Sequence, residues 1–348
     1  MLKKFTYMLV TVLVMFALVV ETFAGGGRRN GTGGAQELLL PVSARGLSLS
    51  GSYVSGMTGL DAMYYNPAGL GVSENTAEAM FSYMNYIADI GFVYAAAAVH
   101  FDDFGSLGFS VRSVDFGEMD ETTVESPYGT GVTFSPTYVV LGVTYSNALT
   151  DRIRVGININ LISEKILRTS ASGMAFDAGI QYNGLAGVEG LKFGITLRNL
   201  GPQMSFDGPD LIRTAEEADA DRGPNFYMID AAAFELPSQM EIGLAYEAKF
   251  SDSYSALITT SFQNNNFSND EYRVGGEFSY NDLFFVRAGY THVSEATGDG
   301  NEDQYLFGPT FGAGLNLSST GANVIIDYAY RAANYFDANQ MITVKLGF

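Results

Sequence analysis

The chain has 348 residues, with 38 Asp+Glu against 19 Lys+Arg and a formal net charge of −19. So acidic a balance argues against a nucleic-acid partner, whose phosphates need a basic face. With no cysteine, a disulfide framework, thiolate metal sites and a lipid-modified N-terminal Cys are excluded, and the presence of only His100 and His292 argues against a His-based metal centre.

Residues 1–24 read as a secretory signal peptide. Lys3 and Lys4 form a basic start, "YMLVTVLVMFALVV" an apolar core, and "TFA" at 22–24 a small-residue cleavage site. Downstream no run of 18 apolar residues occurs, so a helical membrane protein is excluded. Residues 25–42 read as a flexible Gly-rich N-terminus. Residues 43–76 form a second unit containing "DAMYYNPAGLG", in which Pro67 fixes φ and removes a donor, so that neither helix nor strand suits it.

From residue 77 to 348 the pattern is two-residue alternation. In "RIRVGININL", Ile153, Val155, Ile157 and Ile159 alternate with Arg154, Gly156, Asn158 and Asn160; "EYRVGGEFSY" and "NQMITVKLGF" behave alike. Fourteen strands are expected, over 77–86, 90–101, 105–117, 133–148, 152–168, 171–184, 190–200, 236–250, 254–264, 270–281, 283–293, 303–317, 322–332 and 337–348. Segments this long exceed the usual five or six residues of soluble strands and match tilted transmembrane ones. Connections after even-numbered strands are tight, whereas 118–132, 201–235 and 294–302 are long, as in a barrel with short periplasmic turns and long external loops. The 168–171 connection is short although its parity places it outside. The terminal Phe348 fits the last strand of an outer-membrane protein. The fold class is therefore all-β, a transmembrane antiparallel barrel of about 14 strands.

The inward faces carry both charge signs, among them Arg112, Asp177, Arg198, Glu241, Arg273, Glu277, Arg287, Asp327 and Lys345. A porin constriction would favour one sign, so a mixed set points to a cross-linked interior packed against a plug. The loop 201–235 holds an acidic helix-like patch (Glu216, Glu217, Asp219, Asp221) and an apolar portion whose Phe226, Tyr227, Met228, Ile229 and Phe234 are candidate partner-binding residues. "GDGNED" at 298–303 lacks the spaced glutamate of a calcium-binding EF-hand. There is no nucleophile elbow, His-Glu-x-x-His or phosphate loop, and His292 beside Ser294 and Glu295 has no third partner, so neither enzyme nor cofactor is expected.

The stretch "SARGLSLSGSYVSGMTGLDAMYYNPAGLG" resembles the PorV/PorQ family of outer-membrane proteins, relatives of the FadL-type transporters of hydrophobic compounds. The matching positions are Ala44-Arg45, the small-residue run Gly46 to Gly59, Asp61-Ala62 and Asn66 to Leu70. "FGITLRNLGPQMSF" and "ELPSQMEIGLAYE" continue the likeness, which covers residues 35–348. It implies a FadL-like barrel with an N-terminal plug or hatch in the lumen, in which Arg45, Asp61, Asn66, Pro67, Ala68 and Gly69 shape the hatch and its turn. For PorV proper it implies a protein-export role in type IX secretion, with secreted proteins or other partners bound at the external loops. The alternative is a FadL-like transporter of hydrophobic small molecules, with Pro136 or Pro309 kinking a strand to open the wall. Both imply an integral outer-membrane location, with membrane lipid as a contact.

Overall fold

The computed structural model describes residues 31–73, 75–101, 104–216, 223–293, 305–319 and 322–348. The signal-peptide stretch 1–24, the acidic residues Glu217, Asp219 and Asp221, and "GDGNED" at 298–303 lie outside the described residues. The strands are β1 Ala77–Asn85, β2 Gly91–Phe101, β3 Gly105–Asp115, β4 Met119–Asp120, β5 Thr133–Phe134, β6 Thr137–Ala148, β7 Ile153–Ile166, β8 Thr169–Asn183 and β9 Leu191–Leu200. They continue as β10 Ile212–Ala215, β11 Asn225–Met228, β12 Gln239–Ser251, β13 Tyr254–Asn265, β14 Glu271–Tyr280, β15 Phe284–Val293, β16 Phe307–Ser319, β17 Ala322–Ala333 and β18 Asn339–Gly347.

Fourteen of these close into one antiparallel barrel, in which each strand pairs with its neighbours in the chain and β1 meets β18 with Phe81 opposite Val344. Closure leaves no sheet edge, which is how a sheet survives in lipid. The faces are inverted relative to a water-soluble sheet. Phe81, Phe109, Ile157, Phe176, Val286 and Phe311 are exposed on the outside, whereas Asn158, Asp177, Arg198, Glu241, Gln263 and Asp327 are buried on the inside. An apolar belt around a polar interior is the signature of a membrane barrel.

The expected strands agree with the observed ones to within a few residues. Two shorter hairpins, β4–β5 and β10–β11, stand on the long connections. In the second, which flanks the acidic stretch, Ile212 pairs with Met228 and Ala215 with Asn225. Pro136 precedes β6, so its missing N–H falls outside the ladder. Pro309 lies in β16 where the register against β17 shifts between Phe307 and Thr310, a place that tolerates a residue without a donor.

The expectation of a flexible stretch over 25–42 fails from residue 35 onward. Ala35, Leu38, Leu40 and Val42 are buried, because the apolar run "ELLLPV" packs against the barrel interior. Leu38 sits with Val140, Ile162, Met204 and Leu236 in a small cluster. Leu47, Leu49, Tyr53, Met57, Met63 and Tyr65 join inward Met80, Met84, Phe92 and Tyr94 of β1 and β2 in a larger one.

Candidate functional site

Residues 44–71 follow the inner wall of the barrel almost strand by strand. The Ala44 amide donates to Thr343 Oγ1 of β18 at 2.9 Å, the Thr310 hydroxyl of β16 donates to the Ser48 carbonyl at 2.9 Å, and Ser146 Oγ of β6 donates to the Ala68 carbonyl at 2.9 Å. Inward glycines make the track, through their size rather than their torsional freedom. Gly156 of β7 and Gly179 of β8 are directly opposed, as are Gly194 of β9 and Gly243 of β12, and Gly275 of β14 and Gly289 of β15. Each pair carries a piece of the segment. A Cβ on Gly179 would lie 2.0 Å from Asn66 Oδ1, one on Gly194 2.6 Å from Ser55 Cα, and one on Gly289 2.6 Å from the Leu49 carbonyl carbon. This belt was visible in the sequence as glycine recurring on the polar face of successive strands ("RVGIN", "DAGIQ", "KFGIT", "EIGLA", "RAGYT"). Its meaning needed the segment that lies on it.

Arg45 and Asp61 end a chain of alternating charges that ties segment to wall. Arg45 reaches Glu277 through two hydrogen bonds, Nε to Oε2 at 3.1 Å and Nη2 to Oε1 at 2.9 Å. Glu277 also pairs with Arg287, which contacts Asp327 at 2.6 Å; Lys345 lies 3.4 Å from Asp327 and 2.5 Å from Asp61. Three acids and three bases therefore neutralise one another in a line. A second group links Arg198 and Arg273 to Glu241, with Arg273 also on Glu271, and Lys192 joins Glu247 to the Tyr53 hydroxyl. The mixed interior is thus cross-linked, and Tyr53, Arg45 and Asp61 bring the segment into it.

The turn Asn66-Pro67-Ala68-Gly69 opens a 3-10 helix, Pro67–Gly71, with Asn66 as its cap. Asn66 Oδ1 accepts from the Ala68 amide at 3.2 Å, while Nδ2 donates to the Val54 carbonyl at 2.9 Å and faces those of Ile180 and Ile195. One buried side chain therefore joins the turn, the preceding segment and two wall strands. The Gly69 Cβ position would fall 1.9 Å from the Met57 carbonyl oxygen, so no larger residue passes there. Asn66→Ala is expected to cost about 2 kcal/mol, the loss of a cap together with an orphaned carbonyl. A urea midpoint followed by far-UV circular dichroism measures it, and an unshifted midpoint would show that these bonds contribute nothing.

Between the segment and the end of the barrel bearing the long connections is a cavity of about 380 Å³. Leu39, Leu40, Tyr64, Val114, Phe116, Tyr138 and Phe307 give it an apolar side; Arg198, Gln239, Gln263, Arg273 and Arg331 a polar one. Arg331 stacks on Phe307 with its guanidinium carbon 3.6 Å from the ring centre, and donates to Asn339 Oδ1 at 2.8 and 3.0 Å. Such a chamber suits a mostly apolar guest with a polar end.

The candidate partner-binding residues divide. Phe226, Tyr227, Met228 and Ile229 are exposed on and beside β11. Phe234 is not among them, for it packs on Phe206 and its ring lies where a side chain on Gly34 would stand.

No protein-family model matches the sequence, and no curated relative does. Solved structures do resemble it in shape. The Pseudomonas putida toluene transporter TodX superposes with a TM-score of 0.56 at 12% identity, covering 89% of this chain and 99% of that one. The CymD monoaromatic hydrocarbon channel gives 0.53 at 13%, over 89% and 98%, and a Pseudomonas aeruginosa FadL homologue gives 0.53 at 10%, over 88% and 98%. The fold is FadL-like. At these identities the likeness extends to the FadL-like architecture of the barrel and not to any residue's role.

Proposed function

We propose that this chain is an outer-membrane barrel that admits hydrophobic small molecules, with residues 43–71 acting as a hatch between the external cavity and the periplasmic end. The observation that carries this reading is the half-apolar cavity of about 380 Å³ floored by the N-terminal segment. Two of the similar structures are a toluene transporter and a monoaromatic hydrocarbon channel, whose guests belong to the same class. The lipid-facing belt and the signal-peptide pattern support an outer-membrane location.

The export reading, which the PorV/PorQ resemblance suggests, is favoured by a different observation. The hairpin β10–β11 holds Phe226 and Met228 at 76% and 61% exposure, more than a free loop tip needs. One measurement separates the two. The protein, extracted from its own membrane in mild detergent, is expected to carry a bound hydrophobic molecule detectable by native mass spectrometry. Leu40→Trp, which fills the cavity, should remove it at least tenfold. An empty cavity with a co-purified secreted protein bearing a β-rich C-terminal domain would overturn the transporter reading in favour of export.

A further inference from the structure

We propose that Glu37 and Glu164 form a proton-sharing carboxyl pair that latches the start of the N-terminal segment over the cavity and lets go as the surroundings turn alkaline. This rests on the reading of that cavity as a route for hydrophobic molecules and adds its regulation. Glu37 lies in the 3-10 turn Gln36–Leu39, at the cavity's edge; Glu164, near the end of β7 and opposite the cavity-lining Tyr138, accepts from the Ala35 amide and lies within hydrogen-bonding reach of the Glu37 carboxyl. Both are 3% exposed. Among the described residues neither oxygen of the Glu37 side chain has an N–H or O–H partner. A buried carboxylate so placed is costly, whereas one proton held between two carboxyls turns an acceptor into a donor and satisfies both.

The surroundings offer little alternative. From β3, Arg112 is the nearby cation, but its Nη2 goes to Asn160 Oδ1 at 3.4 Å, its Nη1 has no partner among the described residues, and its guanidinium lies over Tyr64. From β6 comes the Tyr138 hydroxyl, which raises no positive charge. Arg198 of β9 and Glu271 and Arg273 of β14 line the same cavity but are committed to the pairs described above. Around the pair, Ala35 and Leu38 hold the turn to Val140, Ile162 and Leu236 by apolar contact, and the Gly34 amide donates to the Glu235 carbonyl at 3.2 Å.

Burial pushes the Glu37 carboxyl up to about 8 and the charge of Glu164 adds to the rise, which outweighs the smaller downward pull of its own backbone amide and of Arg112. In a released segment the same group would titrate near its ordinary value of 4.5. The seated state therefore holds a proton that the released state gives up. Seating is strongest below about pH 4.5 and weakens by at most tenfold per pH unit up to about 8.

The chain has no cysteine, so Gln36→Cys, at an exposed neighbouring position, takes a single nitroxide label on the full-length protein in detergent. The mobile fraction of its electron-paramagnetic-resonance spectrum is expected to rise at least tenfold between pH 5 and pH 9. Adding Glu37→Gln should hold the label immobile throughout, because the amide keeps a donor and cannot ionise. Glu164→Gln, a second route to the same end should the first variant fail to fold, should flatten the profile. A label equally immobile at both pH values overturns the latch, as does a rise that persists in both variants. The readout involves no transported molecule. Absence of a hydrophobic guest would thus overturn the transporter reading while leaving the latch standing.

Discussion

Glu277→Ala is expected to destabilise the barrel by about 3 kcal/mol, seen as a lower urea midpoint or a lower temperature for loss of the folded band on a gel. Glu277 stands between Arg45 of the N-terminal segment and Arg287 of β15, with its side chain 8% exposed. Removing the carboxylate leaves two guanidinium groups facing each other in a confined space with one acid, Asp327, remaining for Arg287. Breaking a buried pair from one side costs about 3–5 kcal/mol because a charge is left uncompensated. The line of charges makes a sharper demand on the paired variant. Arg45→Met with Glu277→Met removes one positive and one negative group together, so Arg287 with Asp327 and Lys345 with Asp61 stay balanced. The double variant should recover most of the lost stability, giving a coupling of roughly 2 kcal/mol in a double-mutant cycle. Additive losses would show that Arg45 and Glu277 act independently of each other.

How much of this was legible in the sequence depends on range. Strand positions and facing were read from alternation alone, because a side chain in a strand can only point in or out and the two solvents differ so much. Ring closure followed from parity of the connections. What lies inside the ring was a different matter. Arg45 and Glu277 are 232 residues apart, and no local pattern links them. The boundary at residue 42 was misplaced because glycine composition over 25–34 outweighed the short apolar run after it. The β10–β11 hairpin was hidden because four-residue strands carry too little periodicity to stand out within a long loop. Glu37 drew no notice beside Leu38, since a single acid at the edge of an apolar run reads as solvated until its partner from β7 is known. The inward glycines were plain to see and had no evident use. In a lumen filled with water a glycine is a weakness in the wall; under a closely laid chain it is a seat.

That seat is the basis of the largest functional effect expected. Gly156→Leu with Gly179→Leu should raise ion conductance severalfold in planar bilayers while the barrel stays closed. The two glycines are opposed across β7 and β8, and added Cβ atoms there would lie 2.3 Å from the Pro67 carbonyl carbon and 2.0 Å from Asn66 Oδ1. Neither obstacle is the free end of a flexible chain: one is backbone and the other is fixed by its bonds to Val54 and Ala68. Overpacking costs about 1–3 kcal/mol per site, and the side with fewer bonds must yield. The wall strands are held by ladders running from Ile153↔Tyr182 to Ile166↔Thr169 on one side of β8 alone, whereas the turn rests on a few side-chain bonds. The turn should therefore move and the lumen open. Gly276→Leu makes the control, since that residue faces outward and an added Cβ would meet nothing nearer than the Leu257 carbonyl oxygen at 3.8 Å. Deleting residues 43–65 sets the upper limit of conductance. A folded double variant that conducts like the parent, beside a deletion that conducts strongly, would mean that the barrel wall flexes to keep its guest segment seated. The glycine pairs would then be a convenience of packing rather than the condition for closure.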